Sequence, residues 1–190
     1  MRTYIILFLV LFTACKQRGR GTYTTRIQNN ETSPNNNINS LKDSAPIPGN
    51  NKKHISGKVI KVTDGDTFTL LLNNDFDTKV RLNGIDCPEK KQAYSKKAKD
   101  RLSHLIFGKN IDVYYEKKDG FGRVLGDVYV NKINVNQDMV QNGLAWHFKE
   151  YSNDPILEKL EQEAIQNRVG LWIDSSPIPP WEFRKRSKNK

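Results

Sequence analysis

The sequence predicts an α+β domain. Three observations carry this: apolar residues alternating with a period of two in short runs between Ile55 and Val130, a helically spaced set of Ala98, Leu102, Leu105 and Ile106 interrupting them, and two further helical patterns after Val130. In order, Val59, Ile60 and Val62 mark a first strand. Phe68, Leu70 and Leu72 mark a second, with the Asp64-Gly65 turn between the two. Val80 and Leu82 alternate in a third strand and leave Arg81 on the opposite face. The first helix stops at Gly108, a residue that tolerates the left-handed conformation of a helix end. Ile111, Val113 and Tyr115 form a fourth strand, and Val124 to Val130 a fifth. Asn134 caps a short helix carrying Val135, Met139 and Val140, which Gly143 closes. Asp154-Pro155 opens another, with proline at the first helical position, Leu157, Leu160 and Ala164 on one face and Gly170 at its end. Five short strands interrupted and followed by helices fit a small barrel. Beyond them, Pro179-Pro180-Trp181 is expected to fold back with Trp181 as an anchor, and the basic end is expected to be disordered.

A chain of 190 residues, 36% of them hydrophobic, accommodates one domain plus tails. The formal charge of +10, from 31 Lys+Arg against 21 Asp+Glu, suits a polyanionic partner. Its placement matters more than its size. Residues 2–53 hold eight bases and two acids, residues 182–190 hold five and one, and the body between them holds 18 of each. The body is therefore neutral, and the excess serves either capture of polyanions or simple solubility.

Residues 1–15 read as an export signal: Arg2, then a short apolar run from Tyr4 to Phe12, then Leu11-Phe12-Thr13-Ala14-Cys15. Small residues before a cysteine resemble a bacterial lipoprotein cleavage box, which would leave Cys15 as a lipidated first residue. The expected location is a membrane-anchored lipoprotein of the bacterial envelope, or a secreted protein if that box is not used. Residues 16–53, rich in Asn, Ser, Thr, Pro and Lys, bury too little surface to offset their ordering entropy and read as a disordered tether. The folded domain is expected over 54–181, with a basic C-terminal tail over 182–190. Cys87 is the single cysteine besides Cys15, so the domain stands on its core without a disulfide.

The chemistry concentrates in Asp64-Gly65-Asp66-Thr67, Arg81, and Asp86-Cys87-Pro88-Glu89. Carboxylate oxygens suit a hard divalent cation. An arginine fork suits a phosphodiester, and a spare carboxylate beside a metal can take a proton from water. With Gly120-Phe121-Gly122-Arg123, these segments resemble the thermonuclease, or staphylococcal nuclease, family in order and approximate spacing along Ile55 to Trp172. The resemblance implies a five-stranded OB-fold β-barrel with three α-helices. It further implies one Ca²⁺ held by Asp66, Asp86 and the backbone carbonyl of Cys87, where the family often has threonine. Sulfur ligation is not expected, because thiolate is soft and Ca²⁺ hard. Asp64 is as well explained as a turn residue.

Glu89 is the expected general base, its alternative being a first-turn glutamate of the following helix. Arg81 and Arg123 are the expected phosphate clamps, against surface salt bridges. Phe121 stands where the family usually has tyrosine and keeps a stacking ring; Tyr151 offers a second platform, whereas Trp146 and Phe148 read as packing residues. Lys90 and Lys91 lead a basic run through Lys96, Lys97, Lys99 and Arg101, which is either a phosphate-tracking rim or the wet face of a helix. His54, His104 and His147 show no metal spacing and receive no role.

The function this implies is a Ca²⁺-dependent endonuclease hydrolysing DNA and RNA with low sequence specificity and leaving 3′-phosphate ends, working as a monomer. The alternative is a non-catalytic, membrane-tethered OB module that only binds nucleic acid. The joint presence of Asp66, Arg81, Asp86, Glu89 and Arg123 favours the enzyme. A structural envelope lipoprotein would leave that constellation as coincidence.

Overall fold

Period-two runs close into a five-stranded mixed barrel with four helices in a computed structural model that describes residues 52–73 and 75–188. The expected export signal, Cys15 and residues 16–51 of the expected tether lie outside the described residues.

The barrel strands are β1 (Lys53–Val62), β2 (Thr67–Leu72), β3 (Asp77–Leu82), β5 (Asn110–Lys118) and β6 (Val124–Val130). Antiparallel neighbours run in the order β3-β2-β1-β5-β6, and a parallel pairing of β3 with β6 closes the ring, so that no long edge of these five is left open. Three short strands accompany them: β4 (Ile85–Asp86), β7 (Ile133–Asn134) and β8 (Trp146–His147). The interior is filled by Val59, Phe68, Leu70, Val80, Leu82, Val113, Val124 and Val128, all essentially without solvent contact. A bulge between Val59 and Lys61 turns Ile60 outward, where it is exposed, so Ile60 marks the strand without joining the core.

Closure between β3 and β6 needs a residue without a side chain. Gly126 lies opposite Leu82, and a Cβ there would come within 2.3 Å of a Val113 methyl. Asn136 then seals the seam from the adjoining helix. It is buried; its Oδ1 accepts from the Val128 amide at 3.0 Å, and its Nδ2 donates to the carbonyls of Asn83 and Gly126 at 2.9 and 3.1 Å.

Helix α1 (Ser95–Ile106) buries the expected Ala98, Leu102, Leu105 and Ile106 against the barrel. In α2 (Val135–Gln141), the Asn134 side chain accepts from the Gln137 amide, as an N-cap should. Asp154 does the same for Ile156 at α3 (Pro155–Gln166), whose buried face is Leu157, Glu161 and Ala164, with Leu160 half-buried. Gly143 closes α2 as expected, but Gly170 does not end α3: that helix stops at Gln166, capped by Asn167 with Arg168 at φ 53°, and Gly170 instead opens a 3-10 turn (Gly170–Ile173) where it meets Gly143. Gly143 and Gly170 each have φ near 59°, and a Cβ on either would lie 2.1–2.2 Å from backbone of the other's segment.

The fold expectation holds in class, in barrel and in the first three helices. The C-terminal end differs. Instead of disordered chain, Pro180–Lys188 forms a fourth helix, α4. Three causes act together, one local and two from distant parts of the chain. Glu182 sits in the first turn while Lys185, Arg186 and Lys188 sit in the last, matching the helix dipole. The Trp181 ring stacks on Phe148 with centroids 5.0 Å apart and planes within 5°. It also meets Trp146 edge-on at 5.7 Å. The anchor expected of Trp181 is thus present, and it orders the basic segment that follows.

Candidate active site

The Asp64-Gly65 turn delivers Asp66 to the barrel mouth. Asp64 is exposed, and its Oδ1 accepts from the Asp66 amide at 3.2 Å, the turn role open to it from sequence. Asp66 is buried, and its carbonyl accepts from Leu82 at 2.9 Å, tying the start of β2 to the end of β3. Asp86 is buried in β4, paired with Trp146 of β8. Arg81 leaves β3 on the face opposite Val80 and Leu82, as the alternation requires.

Arg81 bridges the two carboxylates. Its guanidinium donates to Asp66 Oδ1 at 2.8 Å and to Asp86 Oδ1 at 2.6 Å. Asp66 also accepts from the Thr67 hydroxyl and, through Oδ2, from the Cys87 amide at 3.1 Å. Burial pushes the Asp66 carboxyl up to about 6 even though Arg81 pulls it down. Burial works against the charge on Arg81, yet Asp66 and Asp86 outweigh it and raise its pKa. Burial likewise holds the Cys87 thiol well above its ordinary value. A protonated, buried sulfur is a poor partner for a hard cation, in line with the sequence argument.

Glu89 follows the buried Pro88, half-exposed at the same mouth. Helix α1 begins only at Ser95, so the alternative of a first-turn glutamate does not apply. Its amide donates to Gln92 Oε1 at 2.8 Å, which fixes the backbone, and its carboxylate lines the same cavity as Asp66 and Asp86.

Two cavities meet here. One of about 460 Å³ is lined by Asp64, Asp66, Arg81, Asp86, Glu89 and Lys90, with Lys96 and Lys99 at its rim. The other, about 550 Å³, shares Arg81 and Glu89 and adds Arg123, Phe121 and Tyr151. Phe121 and Tyr151 are 87% and 69% exposed, two rings presented to solvent at the edge of a charged hollow. Arg123 lines the same cavity but is held by its own loop: Nε donates to Asp119 Oδ2 at 2.7 Å, and the guanidinium lies over the Phe121 ring at 5.4 Å. Desolvation works to raise the Asp119 pKa, but the bonds from Arg123 outweigh it and lower it. The structure therefore gathers Asp66, Asp86, Cys87, Arg81, Glu89 and Lys90 around one cavity, and places Arg123, Phe121 and Tyr151 around the adjoining one. Lys91 stands apart. It lines a third hollow of about 250 Å³ with Tyr94, Trp146 and Phe183. The basic run splits the same way: Lys90, Lys96 and Lys99 face the site, Arg101 pairs with Asp138, and Lys97 covers Tyr94.

Sequence reasoning missed two features. The first is Arg184 of α4, whose guanidinium donates to Asp86 Oδ2 at 2.9 Å and to Glu89 Oε1 at 2.7 Å. Its signal was present, since Arg184 lies three residues after Trp181 and so on the same helical face as the anchor. The second is His147. It is buried, its amide donates to Glu161 Oε1 at 2.9 Å, and its ring nitrogens contact Glu158 at 3.3 Å and Ser152 at 3.2 Å. The ligand-type atoms of His147, Glu158 and Glu161 all lie within 4.8 Å of one another. Lys149 already supplies positive charge to both glutamates, at 3.0 and 3.3 Å. The network pins β8 to α3, and through the Trp146–Asp86 pairing it holds β4 in place.

The family model described as "Staphylococcal nuclease homologue" matches residues 79–174. A protein of Escherichia coli named "Uncharacterized endonuclease" is 44% identical over 133 residues, covering 70% of this chain and 86% of that relative. A Haemophilus influenzae protein of the same name is 43% identical over 131 residues, 69% of this chain and 74% of the relative. The "Staphylococcal-like nuclease CAN1" of Arabidopsis thaliana is 44% identical over 110 residues, 58% of this chain and 34% of that protein.

Proposed function

From the premise that this chain belongs to the staphylococcal nuclease family and is a nuclease, a hydrolase, we propose that it is a Ca²⁺-dependent endonuclease cutting DNA and RNA with low sequence preference and leaving 3′-phosphate ends. The observation that carries the reading is the bridging of two buried carboxylates by one guanidinium beside a half-exposed glutamate. The donor set fits the ion. Asp66 and Asp86 are hard oxygen donors, shielded from water and drawing compensating charge from arginines, and a cation can supply that charge instead. The Cys87 carbonyl completes the proposed set from the protein side. Bound there, Ca²⁺ would neutralise phosphate charge and ease deprotonation of a neighbouring water.

The remaining work falls to the chain's own groups. Arg81 and Arg123 border one cavity, where two forks would grip the equatorial oxygens as charge accumulates on them. Glu89 takes the proton of the attacking water. Phe121 and Tyr151 receive a base by stacking, and Lys90 meets flanking phosphate; a backbone common to all nucleic acids explains low selectivity. The N-terminal segment is proposed to export the protein and to tether it to a membrane through lipid on Cys15, and the enzyme to act as a monomer.

The test is cleavage of DNA and RNA with Ca²⁺, then with excess chelator. Activity is expected to vanish with chelator and to be poorly supported by Mg²⁺, which holds its waters and demands a tighter octahedron. Unchanged activity in chelator would end the reading. Glu89→Gln is expected to lower turnover by about 10²-fold or more while nucleotide affinity changes little, since the amide keeps shape and loses basicity. Equal losses in both would make Glu89 a structural residue. The pH dependence of Ca²⁺ affinity follows from Asp66. Its carboxyl sits near 6, and only the ionised form ligates, so protons compete below that pH. Affinity measured by calorimetry should fall toward about tenfold per pH unit below that value. A flat profile between about pH 7.5 and 5 would remove Asp66 from the ligand set.

A further inference from the structure

We propose that Arg184 is a built-in counter-cation that competes with the divalent ion for Asp86 and Glu89, so that metal binding and docking of this side chain oppose one another. This rests on the Ca²⁺ reading above and concerns a residue outside every motif that identified the site.

The lone pairs show how the competition arises. Asp86 Oδ1 accepts from Arg81 at 2.6 Å and more weakly from Arg184 at 3.4 Å, while its Oδ2 accepts from Arg184 at 2.9 Å. Glu89 Oε1 accepts from Arg184 at 2.7 Å. One guanidinium thus occupies both the second oxygen of a ligand carboxylate and the carboxylate assigned to proton transfer. Charge makes the same point. Asp66, Asp86 and Glu89 carry three negative charges, which Arg81 and Arg184 reduce to one. With Arg184 withdrawn, two remain, which is the deficit a divalent ion fills.

The two arginines are not equivalent. Arg81 is 19% exposed, projects from a barrel strand and is held by two buried carboxylates. Arg184 is 39% exposed and reaches in from a terminal helix, so its head can return to water at modest cost. Its guanidinium is cationic at any working pH, so Asp86 and Glu89 are freed by displacing it and not by deprotonating it. The helix itself need not leave. Trp181, one turn earlier, stays stacked on Phe148 and keeps Arg184 at the mouth. Because coupling is reciprocal, whatever factor Arg184 takes from metal affinity, the metal takes from the Arg184 contact. In the docked arrangement Glu89 is also engaged, so the base would be released in step with metal arrival.

The experiment is calorimetric titration of Ca²⁺ into the purified protein, its Arg184→Gln and Arg184→Lys variants and an Asp86→Asn control, with melting temperature recorded in each with and without Ca²⁺. Arg184→Gln is expected to bind Ca²⁺ about tenfold more tightly, because charge-assisted hydrogen bonds no longer have to be broken first. Its melting temperature should be lower without the ion and rise further with it than in the wild type. Arg184→Lys, which keeps a point charge without the fork, should fall between and reports on the same competition if the glutamine variant folds only with Ca²⁺. Equal or weaker binding in both variants, with binding lost in Asp86→Asn, would overturn the competition and leave the metal site standing. No binding in the wild type or in either Arg184 variant would overturn both.

Discussion

Replacing Arg81 by lysine is expected to lower kcat by about 10²- to 10³-fold, the loss seen when one preorganised donor to a developing oxyanion is removed. Lysine retains the positive charge, so Asp66 and Asp86 still have a partner and the fold should survive. It cannot retain the geometry. Arg81 spans two carboxylates from one planar group, at 2.8 and 2.6 Å, and an ammonium at the end of a flexible stem cannot hold both and still present donors to phosphate. Single-turnover cleavage with saturating Ca²⁺ separates the chemical step from binding, and circular dichroism checks the fold. A variant with near wild-type turnover would show that Arg81 serves only to neutralise its carboxylates. Arg123→Lys should lose less at the level of ground-state contacts, because Arg123 is paired with Asp119 of its own loop. Arg123 must exchange that partner for substrate, whereas Arg81 is already held at the carboxylates.

The second large effect is structural. Phe68→Ala is expected to destabilise the domain by about 3–5 kcal/mol, the range for deleting a fully buried aromatic side chain and leaving a cavity behind. Phe68 has no solvent contact and lies two residues from Asp66, between Val62 of β1 and Val80 of β3 in the strand register. Its loss therefore loosens the strands that position Asp66 and Arg81. Urea unfolding should show a lower midpoint with an unchanged slope. Phe121→Ala is the contrasting case. That ring is 87% exposed, so stability should change by no more than about 0.5 kcal/mol while substrate affinity falls. If Phe68→Ala unfolds at the wild-type midpoint, the barrel core is not packed as described.

Most of the fold was legible because its signals are local. Alternation in Phe68, Leu70, Val80 and Leu82, the caps Asn134 and Asp154, and the glycines Gly108 and Gly143 after the first two helices act within a few residues, and each appears in the structure where its chemistry requires. The disorder expected at the C-terminus failed for a physical reason. Composition after Glu182 is that of a solvated tail, but a single aromatic stack on Phe148 and an ion pair with Asp86 supply what the segment lacks on its own. Neither partner lies within thirty residues of it in the chain, so no window of sequence contains the information.

The site divides in the same way. Residue types and order were enough to nominate Asp66, Arg81, Asp86 and Glu89, because a turn, a strand face and a proline each constrain their own neighbours. Only the closed barrel decides that Arg81 reaches two carboxylates, that Asp66 is buried deeply enough to titrate near 6, and that Lys90 faces the site while Lys91 does not. Those outcomes depend on the β3–β6 closure, on Asn136 across its seam and on His147 holding β8 against α3. By itself the sequence determined which groups could do the chemistry and on which elements they ride. The tertiary structure decided which of them meet, because burial, dielectric and charge pairing are properties of residues brought together from distant parts of the chain.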